Sequence, residues 1–177
     1  MDIRIDIKQL SELVPDNNLA ADAAGRAVSN LIIDHLRKKN ANSVHPAGFP
    51  KSDYWADAAD SVTTEVAGGK AVVTVQKEGA ALHYYGGTVL PKKKALAIPQ
   101  DPSVADVWPS EYAGTGGAVD LIWPKGSTTG RLVDRESGTT LWILVARATI
   151  PEDRTVLPTA GELDDAAARG IFELLSA

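Results

Sequence analysis

The chain has 177 residues, 44% of them hydrophobic and 23% charged, with a formal net charge of −5 and no cysteine. That size suits one compact domain over 1–177 with a substantial core. The missing cysteine excludes disulfides, thiolate catalysis and thiolate metal sites. The acidic balance argues against a dedicated nucleic-acid binder, although a surface of like charge lets duplex DNA pass without sticking. The N-terminal MDIRIDIKQL has no long apolar core and so is not a signal peptide, and no apolar run approaches the roughly 18 residues of a membrane helix. The expectation is a soluble protein with no membrane partner.

Ile3, Ile5 and Ile7 alternate with charged residues, the period of a strand with one buried face, and Leu10 and Leu13 bridge to the next element. Pro15 and Asp16 open a long helix that Asp16 or Asn17 can cap. Its apolar positions, Ala20, Ala24, Ala27, Val28, Leu31, Ile32 and Leu36, draw one stripe, and Arg37, Lys38 and Lys39 complement the dipole at its end. Asn42–Pro50 carries two prolines and a glycine and reads as a loop. Ser52 is the predicted cap of a short helix running to Ala59. Ser61–Val66 and Ala71–Gln76 flank Gly68-Gly69 and predict a hairpin.

Glu78–Tyr85 predicts one or two helical turns ended by Gly86-Gly87. Thr88–Leu90 and Ala95–Ile98 read as short strands on either side of an exposed Pro91-Lys92-Lys93-Lys94 loop. Gln100–Thr140 is rich in glycine, proline and serine and predicts a loop-rich insertion (about 100–147) with short strands. Leu141–Ala146 is a strong strand, and Thr149–Thr159 an extended connector. Thr159 with Glu162 forms a capping box for a last helix striped by Leu163, Ala166, Ala167, Ile171 and Leu174. The inventory predicts an α+β fold: a small, mostly antiparallel sheet packed by a long N-terminal and a C-terminal helix.

Reactive constellations are sparse. His35, His45 and His83 have no zinc-helix spacing, so packing or surface placement accounts for them. Asp57 and Asp60 share a helix face and read as a solvated pair. Gly114-Thr115-Gly116-Gly117 lacks the Gly-Lys-Ser/Thr ending of a phosphate loop and reads as a turn. A small hydrolase or ligand-binding enzyme would need His83 with Asp57 or Asp60, near the Gly114 loop. Lys92-Lys93-Lys94 either protects a sheet edge or anchors an acidic neighbouring subunit or a DNA backbone. Tyr84-Tyr85, Trp108 and Trp123 are large rings in turn-rich surroundings, suited equally to interfaces and to packing.

Tyr54-Trp55, Ala58-Ala59-Asp60-Ser61-Val62, the Gly68-Gly69 hairpin, His83-Tyr84-Tyr85-Gly86-Gly87-Thr88 and Lys94-Ala95-Leu96-Ala97-Ile98-Pro99 occur in an order that resembles the tail completion (virion morphogenesis) proteins of tailed bacteriophages. Leu132-Val133, Leu141–Val145 and Ala148–Arg154 resemble members carrying a long insertion, so the likeness runs with gaps from Asn42 to Pro158. Where many members read Pro-Ala-Arg, this chain has Pro151-Glu152-Asp153-Arg154. The resemblance implies an α+β virion protein, not an enzyme and without a cofactor or metal. It would be assembled in the bacterial host cytoplasm and placed at the head–tail neck. Its implied partners are copies of itself in a ring, neighbouring neck and tail proteins, and DNA passing without sequence-specific binding. A tail terminator or head-closure adaptor is the nearest alternative. The expected contact residues are Tyr84, Tyr85, Lys92, Lys93, Lys94, Trp108, Trp123 and Arg154.

Overall fold

The computed structural model describes residues 2–6 and 17–176. Its elements are β1 (Asp2–Asp6), α1 (Asn17–Ala41), α2 (Tyr54–Asp60), β2 (Val62–Ala67), β3 (Lys70–Val75), α3 (Ala80–Tyr85), β4 (Gly87–Val89), β5 (Leu96–Pro99), α4 (Pro109–Gly114), β6 (Val119–Ile122), β7 (Thr129–Asp134), β8 (Thr140–Val145), β9 (Ala148–Ile150) and α5 (Ala160–Ser176). Short 3₁₀ turns cover Pro102–Val104 and Arg154–Val156. The class is α+β, with every described strand pair antiparallel. The predicted roles of Ile7, Leu10, Leu13, Pro15 and Asp16 lie outside the described residues.

The chain divides into two compact units. The first comprises Met1–Ser43, Asp53–Gly86 and Pro151–Ala177. Its sheet has the order β1-β3-β2, with Val73 opposite Ile3 on one side and Thr64 on the other. The β2–β3 hairpin turns through Gly68 (φ 57°) and Gly69 (φ 71°), the left-handed pair that a two-residue turn demands. β3 buries Ala71, Val73 and Val75 on one face. Over that face α1 lays the predicted stripe, burying Ala20, Ala24, Val28, Ile32 and Leu36. Gly25 permits the close approach: a Cβ there would lie 2.8 Å from Thr64 Cγ2 and 2.9 Å from Ala71 Cβ. A short hydrogen bond between the Ser29 and Thr64 hydroxyls satisfies the polar groups at this seam.

α5 packs on α1 through Ala166, Ala167, Gly170 and Ile171. At Gly170 an added Cβ would come within 2.6 Å of the Ala23 carbonyl oxygen. The predicted capping box is present: Thr159 N–H donates to Glu162 Oε2 at 2.8 Å, and Glu162 N–H to Thr159 Oγ1 at 3.4 Å. Val156 and Leu157, read from the sequence as an extended connector, are buried in this core, which a 3₁₀ turn makes possible by rotating them inward. Ser52 does not cap α2. The cap position belongs to Asp53, whose carboxylate makes no capping bond and accepts from Asn40 Nδ2 at 3.2 Å.

The second unit comprises Val44–Ser52 and Gly87–Ile150. A four-stranded sheet has the order β5-β8-β7-β6, so β5 and β6 are edges; β4 and β9 pair separately. β9 overlaps the start of the predicted connector. The core is small: Val104, Leu141 and Trp142, with Ala97, Tyr112, Val119 and Leu132 packed against it. The Tyr112 and Trp142 rings meet edge-on, 5.5 Å apart. The insertion is more regular than its composition suggests, since it holds a three-stranded meander and α4. Pro109 opens α4 at a position needing no N–H, and Trp108 N–H donates to Glu111 Oε2 at 3.1 Å.

Candidate subunit-contact site

Three expected contact residues converge in the first unit. Tyr84 and Tyr85 end α3, which stops at Gly86 (φ 71°). Their rings meet edge-on at 4.8 Å. The Arg154 guanidinium lies 4.6 Å from the Tyr84 ring centre and 5.2 Å from that of Tyr85. Glu152 accepts a short hydrogen bond from Arg154 Nε, which pins the guanidinium over the rings and holds it protonated. Tyr84 also packs against the core, whereas Tyr85 is 57% exposed. The cluster therefore presents one aromatic ring and one anchored cation to solvent.

The acidic residues around Arg154 have distinct jobs. Asp153 accepts from Lys39 Nζ at 2.8 Å and from the Thr155 hydroxyl at 2.5 Å, and its N–H donates to the His83 carbonyl at 3.0 Å. Hydrogen bonding from Lys39, then from Thr155, lowers its carboxyl to about 2. Pro151–Arg154 is thus tied to both α1 and α3. His35 of α1 adds a contact from Nε2 to the Thr155 carbonyl at 2.8 Å.

His83 sits between rings, 5.3 Å from Tyr54 and 5.2 Å from Trp55. Lys77 Nζ is 2.6 Å from Asp57, and an Arg37 guanidinium nitrogen is 3.2 Å from Asp60. Among the described residues no hydrogen bond joins His83 to either carboxylate. Gly114 closes α4 in the second unit, and Gly116 (φ 94°) turns the chain out of it, so GlyThrGlyGly ends a helix where a phosphate loop would begin one. Among the described residues no cluster of His, Cys, Asp or Glu is arranged to hold a metal ion. No described helix is long and apolar enough to cross a membrane.

The remaining expected contacts belong to the second unit. Lys92, Lys93 and Lys94 are exposed on the loop before edge strand β5, and none makes an ion pair among the described residues. Leu90 beside them is 67% exposed. Trp108, before α4, is 65% exposed. Trp123 has a structural role as well: its ring lies across Gly130, where a Cβ would meet Cε3 at 2.2 Å, and its Nε1–H donates to the Ser127 carbonyl at 2.9 Å.

The sequence reading missed several exposed apolar residues. Leu121 is 61% exposed beside Ile122 on edge strand β6, and Phe172 and Leu175 protrude from α5. Leu121-Ile122-Trp123 is an apolar run in the sequence, but only the strand order shows it to be at an edge. Phe172 and Leu175 fall off the packed stripe of α5, which is the signal that identifies them.

No protein-family model, curated protein or solved structure matches the chain.

Proposed function

We propose that this chain is a structural subunit of a tailed phage or prophage virion, completing or joining the tail at the head–tail neck through contacts between copies in a ring. The observation that carries the reading is the second unit's exposed surface. Leu90 beside the unpaired Lys92–Lys94 run, Trp108 before α4, and Leu121, Ile122 and Trp123 at the β6 edge on the far side of the sheet from β5 all stand in solvent. Large apolar side chains exposed in this number on a small core characterise surfaces that a partner covers. The sheet beneath them supplies a rigid mount, and two edge strands offer unpaired backbone to a neighbour. The ordered sequence motifs that resemble tail completion proteins give the assembly its proposed place. The net charge of −5 suits a ring through which DNA passes without adhering.

The hydrolase alternative has less support. His83 is packed between aromatic rings, and Asp57 and Asp60 are each matched to a cation. The test is deletion of the gene from its phage or prophage, with electron microscopy of the induced lysate. The expected result is unjoined heads and tails, or tails of aberrant length, restored by a plasmid copy. Normal yields of joined, infectious particles without the gene would remove the reading.

A further inference from the structure

The second unit contains a groove of about 290 Å³ whose walls are Ala97, Pro99, Val107, Trp108, Pro109 and Trp142. Trp142 is its buried floor, and exposed Trp108 is its open wall. Prolines and tryptophans of this kind form the surfaces on which extended proline-containing segments lie. The rim is acidic. Asp106 lines the groove and makes no ion pair among the described residues, and the Glu111 carboxylate sits on the Trp108 N–H. No lysine or arginine lines it.

Leu90-Pro91-Lys92-Lys93-Lys94 has the complementary character. Pro91 fixes its own φ near −65° and biases Leu90 to an extended conformation, so these two residues are preorganised to lie along a surface before the chain bends through Lys92–Lys94. Leu90 supplies an exposed apolar contact, and the lysines supply unpaired cations. In its own copy the loop leaves the groove open: none of Leu90–Lys94 lines it, and Leu90 and the three lysines are exposed. It joins β5 at Leu96, whereas the groove holds Pro99 at the other end of that strand. At roughly 3.3 Å per residue, the three steps of β5 hold Leu96 and Pro99 about 10 Å apart.

We infer that the Leu90–Lys94 segment of one copy docks in the Trp108–Trp142 groove of the next, Leu90 and Pro91 on the rings and the lysines against Asp106 and Glu111. This rests on the ring reading above and gives it a specific heterologous interface: the two surfaces are different, so each copy offers one and uses one, and the contact propagates around a ring.

A fluorescein-labelled peptide spanning Thr88–Leu96, titrated with the full-length protein and monitored by anisotropy, tests the docking directly. Binding should weaken at least tenfold with W108A and several-fold with D106K, an exposed change that spares the core. It should weaken similarly when the peptide lysines become glutamates, and more at high salt than at low. The absence of native cysteine permits a second readout. K93C and D106C proteins, mixed under mild oxidation, should yield a cross-linked dimer in far greater amount than either alone. A peptide that does not bind at millimolar protein, or that binds W108A and D106K as well as the parent protein, overturns the inference. If such a failure accompanies ring formation in native mass spectrometry, the docking surface is wrong while the neck reading stands. If the peptide binds but gene deletion leaves virions normal, the self-contact stands without that reading.

Discussion

Asp153 shows how much one side chain contributes to holding the Arg154 segment. Its folded carboxyl titrates at about 2, below its ordinary value of 3.8. Its contribution is therefore fully present above about pH 4 and is lost as the pH falls toward 2. Because the side chain is 41% exposed, water screens the pair, and less than about 1 kcal/mol is at stake. The urea midpoint of the wild-type protein should fall more steeply between pH 4 and pH 2 than that of D153N. Equal slopes would show that the Lys39 pair contributes nothing. Gly170 is the steric counterpart. The backbone carbonyl of Ala23 cannot yield to a β-carbon at 2.6 Å, so G170V should cost about 1–3 kcal/mol in denaturant unfolding by forcing the helices apart. Neither role was legible in the sequence. The partners of Asp153 and Gly170 lie more than a hundred residues away on α1, and no local pattern encodes such a contact.

Elements were legible in proportion to their periodicity. α1, α5 and the Gly68-Gly69 hairpin each repeat a burial period over enough residues to stand out, the strand at Leu141 stands out as an unbroken apolar run, and each forms where expected. α4 did not stand out, because six residues between a proline and a glycine-rich turn carry no repeat. β9, three residues long, was missed at the start of the extended connector for the same reason. Of the candidate contact site, the exposed lysine loop and Trp108 were legible. The stacking of Arg154 on the two tyrosines was not, since it depends on a tertiary meeting of α3 with the chain before α5. The capping box is the element whose energetics can be isolated. T159A should lower stability by about 1 kcal/mol, read as a shift in the helix signal during urea unfolding. E162A should cost a similar amount, because it removes two bonds from Thr159, through its N–H at 2.8 Å and its hydroxyl at 2.7 Å.

On the scale of the whole molecule, the first unit is assembled from three stretches of chain and the second from two. α1 and α5, the first unit's two long helices, are separated in sequence by every strand of the second unit. A chain truncated after Pro158 should therefore keep all of the residues of the second unit yet leave Val28, Ile32 and Leu36 without the helix that packs over α1. Such a chain should collect in the insoluble fraction on expression, with solubility restored when α5 is supplied in trans or the truncation is moved beyond Ser176.

The pairing of α1 with α5 also has a consequence for synthesis. α1 is synthesised with a greasy stripe, and α5, which packs over it, follows only after every strand of the second unit. Until α5 is made, that stripe is the surface through which growing chains would stick to one another, and shielding it is the task a holdase chaperone would perform.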